Sequence, residues 1–169
     1  MKLVSLFFAL SVLSIACSNN DDNATVTSQD SYFMQQAAYS NFAEISAGSI
    51  ASLKGNNDSV RLFGTMMVAD HGTAESALDS LGNALHVSLP STPDTAHIAV
   101  AAMLQTLSGN VFDTTYIGAQ VKDHINTIAL FQQELASGNN TQVKNYATKY
   151  LPKIQMHLEE AQRIQLLVK

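Results

Sequence analysis

From residue 30 onward, apolar side chains return every three or four residues, and this spacing constrains the chain more than any other feature. It is the period of an α-helix with one buried stripe. No stretch alternates apolar and polar residues with the period of a strand for more than a few residues. Breakers divide the pattern. Gly55-Asn56-Asn57 and Ser137-Gly138-Asn139-Asn140 read as tight turns, and Pro90, Pro93 and Ser108-Gly109-Asn110 interrupt the region between them. The spacing predicts helix A from Ser28 or Asp30, either serving as N-cap, to Gly55. Helix B, capped by Asp58, runs to about residue 86. A short helix capped by Asp94 ends at Leu107, helix C covers about 111–136, and helix D about 141–167. Pro152 falls inside helix D, removes one backbone hydrogen bond and should kink it.

Four long helices with short A–B and C–D turns and a long B–C connection suit an all-α four-helix bundle with one crossover, as in ferritin-like folds. A plain up-down-up-down bundle is the alternative. Residues 30–169 form this single domain. The 169-residue chain is 46% apolar and 14% charged, which supplies a core and excludes intrinsic disorder.

Core positions in a bundle helix alternate three and four residues apart. In helix B they read Val60, Gly64, Met67, His71, Ala74, Leu78, Leu81 and Leu85. In helix C they read Ile117, Val121, His124, Ile128, Phe131 and Leu135. In helix D they read Val143, Ala147, Tyr150, Ile154, His157, Ala161, Ile164 and Val168. Each of the three carries one histidine in an otherwise apolar or small-residue seam. Helix A offers Phe33, Ala37, Ser40, Glu44, Ala47 and Ala51, with Phe42, Ile45 and Leu53 as a competing stripe. At about 1.5 Å rise per residue, Glu44, His71, His124 and His157 fall in one layer near mid-bundle, in either topology.

Neutral imidazoles and a carboxylate in an enclosed layer make a site for zinc, copper or iron. Asp70 and Asp123, each next to a histidine, point about 100° away from it. Each is placed to bond a histidine on a neighbouring helix and fix its tautomer, and Glu75 shares the face of His71. His86 and His97 read as surface residues beside the crossover. The pattern departs from a di-iron carboxylate centre, which needs Glu three residues before His; here Val68, Val121 and Ile154 stand there. The other reading is a structural layer in which the histidines bond one another, Glu44 or tyrosines. There is no phosphate-binding glycine loop, no Gly-x-Ser-x-Gly and no cysteine pair. A net charge of -5 with scattered basic residues argues against nucleic acid. The residues therefore describe a non-enzymatic domain with a histidine core that could hold a transition metal. The rival is a small metal-dependent or redox enzyme with no recognisable acid, base or nucleophile.

Residues 1–16 precede Cys17, the only cysteine, and combine Lys2 with an apolar run from Leu3 to Ile15. The run is too short to span a bilayer but suits a secretory signal. With Cys17 after Ala16 it resembles a bacterial lipoprotein signal, although Ser14 stands where Leu is usual. The resemblance implies cleavage before Cys17, lipidation of Cys17, and anchoring in the cell envelope on the periplasmic or surface face of the outer membrane. An ordinary secreted protein is the alternative. Residues 17–29 are small and polar and read as a flexible tether.

Several stretches together resemble one bacterial family, the domain of unknown function four-one-four-two. They are Phe33-Met34-Gln35-Gln36-Ala37-Ala38, Ala43-Glu44-Ile45, Met67-Val68-Ala69-Asp70-His71, Leu107-Ser108-Gly109, Phe112-Asp113-Thr114-Thr115-Tyr116, Val121-Lys122-Asp123-His124, Leu130-Phe131 and Leu151 through Leu158 with Pro152 and His157. The resemblance implies a ferritin-like bundle in the cell envelope and no established activity. The charge on helices A and B is sparser than the family pattern.

Overall fold

The computed structural model describes residues 24–169; the expected signal segment, Cys17 and the first part of the expected tether lie outside the described residues. The helices are α1 (Ser28–Lys54), α2 (Asp58–Leu85), α3 (Thr95–Thr106), α4 (Gly109–Ser137) and α5 (Thr141–Gln165). The four long ones pack as the bundle, and α3 is the short helix of the connection. α5 stays helical on both sides of Pro152.

Caps set the starts, with some changes from expectation. Thr27, not Ser28 or Asp30, caps α1. Its hydroxyl accepts the Asp30 N–H, and the Asp30 carboxylate accepts the Thr27 N–H at 2.7 Å, a reciprocal pair that needs the acid three residues after the cap. Ser28 and Gln29, expected in the tether, therefore belong to the helix. Asn57 rather than Asp58 caps α2 through the Ser59 N–H at 2.8 Å, and Asp58 pairs with Arg61. α4 starts two residues early, at Gly109, whose φ of 60° is open to a residue without a Cβ.

Two buried carboxylates fix how the helix pairs sit. Asp113, in the first turns of α4, accepts the Asn56 and Asn57 N–H groups of the α1–α2 turn, each at 2.8 Å. Asp30, in the first turn of α1, accepts the Asn139 and Asn140 N–H groups of the α4–α5 turn, each at 2.9 Å. The start of α4 is therefore level with the end of α1, and α2 and α4 run parallel. That demands a crossover, which α3 provides by climbing the outside of the bundle. The up-down-up-down alternative is excluded.

All eight expected seam positions of helix D are buried, Val168 lying just past the end of α5, as are the seam positions Val60 through Leu78 on α2 and Ile117, His124 and Phe131 on α4. On α1 the stripe is Ala37, Asn41, Glu44, Gly48 and Ala51; Ser40 and Ala47 are only partly buried and Leu53 is 85% exposed. α1 and α2 come together at Gly48 and Gly64. A Cβ on Gly64 would stand 2.7 Å from the Gly48 carbonyl oxygen and 2.7 Å from the Ser52 nitrogen. The apolar core divides in two. Phe63, Met67, Phe112, Tyr116 and Ile117 fill the half nearer the α1–α2 turn, and Phe33, Met34, Leu78, Phe131 and Tyr146 fill the other. The histidines lie between.

Candidate metal centre

His71 comes from α2, His124 from α4 and His157 from α5, and all three are buried. Each sits where the seam of its helix crosses mid-bundle. The ring centroids are 5.9, 5.4 and 5.5 Å apart. One nitrogen from each ring lies within 4.8 Å of the others. Nitrogens on a tetrahedral zinc-like ion at about 2.0–2.1 Å stand about 3.3 Å apart, so closure draws them together by about 1.5 Å at most.

The outer nitrogens are spoken for. His71 Nδ1 is 2.9 Å from Asn41 Oδ1, His124 Nδ1 is 2.9 Å from the Gln120 carbonyl oxygen, and His157 Nε2 is 2.9 Å from Asp70 Oδ2. All three partners are acceptors, so in each pair the imidazole donates. His71 Nε2, His124 Nε2 and His157 Nδ1 are left as buried lone pairs without a partner among the described residues. This is how ligating histidines are held: one N–H anchored to an oxygen, the other nitrogen free for the ion. Burial lowers the basicity of all three, His71 well below its ordinary range and His124 and His157 to about 4. At neutral pH they are uncharged, the form that binds metal.

The residues around the trio sort differently from the sequence reading. Asp70 does what was expected of it, bonding a histidine across to α5. It also pairs with Lys153 at 3.1 Å. Burial would raise its carboxyl, but the bonds to His157 and Lys153 outweigh that and hold it below the usual range. Asp123 does not reach the trio; its carboxylate lies 3.9 Å from His97, which also contacts Asp94 at 2.9 Å. His97 is thus tied into an acidic cluster and only partly exposed, while His86 is exposed. Glu44 is in the layer but on the far side of His124, 3.7 Å from the anchored Nδ1. Burial pushes it up to about 8, and the Gln120 side chain pulls it part of the way back. The structure therefore does not bring Glu44 into the converging set. Glu75 acts at one remove, accepting from Asn41 Nδ2 at 2.9 Å.

Sequence reasoning missed Asn41 and the Gln120 carbonyl. Asn41 lies on the observed α1 stripe, three residues before Glu44, and a correct phase for that helix would have found it. The Gln120 carbonyl carries no side-chain signal; any residue four before a buried helical histidine could supply it.

The model of a domain of unknown function, DUF4142, matches residues 16–164. This chain is a DUF4142 domain. No match is found among curated proteins. The crystal structure of a DUF305 fragment from Deinococcus radiodurans superposes on the DUF4142 chain with a TM-score of 0.73 at 11% identity, over 83% of this chain and 97% of that one. Likeness at that identity shows the fold alone, a helical bundle.

Proposed function

We propose that this domain binds one transition-metal ion, zinc, copper or iron, through His71 Nε2, His124 Nε2 and His157 Nδ1. The observation that carries the reading is three buried rings, each with one ligand nitrogen within 4.8 Å of the others, and each with one nitrogen anchored and the other without a partner among the described residues. A purely structural polar layer would leave those three groups unsatisfied, at about 1–3 kcal/mol each. Asp70, Asn41 and the Gln120 carbonyl orient the rings. Metal analysis of untagged protein tests this. One ion per chain is expected, falling to a small fraction in His124→Ala and His157→Ala. No stoichiometric zinc, copper or iron, either as purified or after titration, would leave a structural layer.

The lipoprotein-like residues 1–17 and the family resemblance support a location in the cell envelope. Among the described residues no helix is long and apolar enough to cross a membrane; the attachment proposed is lipid on Cys17. Cys17→Ser should then release the protein from the membrane fraction. Retention of that variant with its signal cleaved would refute the anchor.

A further inference from the structure

A cavity lies against two of the three histidines, on the side away from the α1–α2 turn. His71 and His157 form part of its wall, together with Ala74, Phe131, Tyr150 and Lys153. The space open to the centre of a water molecule is about 10 Å³, roughly the room one water needs. The opposite side of the trio is closed by Phe63, whose ring packs at 6.4 Å from His124 and 6.5 Å from His157. Tyr150 is buried, and its hydroxyl has no hydrogen-bond partner among the described residues. Its neighbour Tyr146 is bonded to Asn41 and to the Ala74 carbonyl. A buried hydroxyl without a partner, in the same wall as two imidazoles that each keep an unpartnered nitrogen, marks a place for a polar visitor.

The donor count points the same way. Structural zinc-type sites are closed by four protein ligands, whereas three protein ligands leave a position for water or substrate. Among the described residues three converge here, Glu44 standing behind His124. Three neutral imidazoles also leave the charge of a divalent ion uncompensated. The nearest carboxylate, Asp70, is already paired with Lys153, itself a wall residue.

We infer that the centre keeps a fourth, exchangeable coordination position, filled from this cavity by hydroxide or another anion of a few atoms, and that the Tyr150 hydroxyl is its hydrogen-bond partner. This rests on the metal-binding reading. The test uses the mature chain loaded with cobalt(II), or with copper(II) where cobalt does not bind, and azide as the probe. Azide is expected to change the visible ligand-field or charge-transfer spectrum saturably. Tyr150→Phe should weaken azide binding about tenfold and leave metal affinity and the unfolding midpoint unchanged. Ala74→Leu, which fills the cavity, should abolish the response. Metal bound with a spectrum indifferent to azide overturns the inference and spares the metal reading. Equal azide affinity in Tyr150→Phe removes the cavity as the ligand's seat. Binding of neither metal, nor of zinc, overturns the metal reading and the inference with it.

Discussion

A buried imidazole has two nitrogens to satisfy, and at His71, His124 and His157 the protein satisfies one of each. The anchoring oxygens differ in kind: an amide, a backbone carbonyl and a carboxylate. The carboxylate, Asp70, raises the basicity of its imidazole partner, and such outer partners are worth about 10–100-fold in metal affinity. Asp70→Asn is therefore expected to weaken binding by that factor, measured by competition with a chelator of known affinity. Unchanged affinity would mean that Asp70 serves Lys153 and not the centre. The three histidines were legible in the sequence because each interrupts a strongly apolar seam. Asn41 was not, because the α1 stripe is built from Ala37, Ala38, Ala43, Gly48 and Ala51, and such small residues give little contrast between buried and exposed faces.

At the scale of the helices, two kinds of contact fix the arrangement. One is the close approach of α1 and α2, where Gly48 and Gly64 let backbone meet backbone. Gly64→Ala forces a methyl against a carbonyl and an amide that cannot yield as a side chain would. It should destabilise by about 1–3 kcal/mol. Gly118→Ala, on α4, is the contrast: its Cβ would meet nothing within 4 Å, and Ala is the better helix former by about 1 kcal/mol. Opposite signs in urea unfolding are expected; a Gly64→Ala protein as stable as wild type would show that the α1–α2 crossing is loose. The other contact is the exchange of carboxylates between turns. Asp113 and Asp30 each hold the turn of the other helix pair, and this decides the direction of α4 and hence the crossover. Helix spacing along the chain could not decide it, since the histidines meet near mid-bundle in either topology.

For the whole molecule, the far end of the bundle stores a pH dependence. Glu134 is fully buried near Asp30. Burial first, then Asp30, pushes its carboxyl up to about 7, against the weaker pull of Gln29 and Lys144. Burial also works to raise Asp30, but hydrogen bonds from Thr27 and Asn140 prevail and hold it at about 2. Folding thus favours protonated Glu134. Its contribution to stability is complete below its ordinary pKa of 4.5 and is lost as pH rises through about 7. As pH rises from 4.5 through about 7, metal-free wild type should lose stability relative to Glu134→Gln, read as urea midpoints at each pH. Parallel curves for the two proteins would show that Glu134 is ionised in the folded state. The sequence by itself determined the all-α class, four long helices and a short one, and the three seams that carry the histidines, because helical periodicity and breaker residues are local properties. Tertiary structure alone decided the crossover, the turn-clamping carboxylates, the glycine contact of α1 with α2, and which side of His124 Glu44 takes. Those depend on the rotation and height of one helix against another, which no spacing along a single helix records.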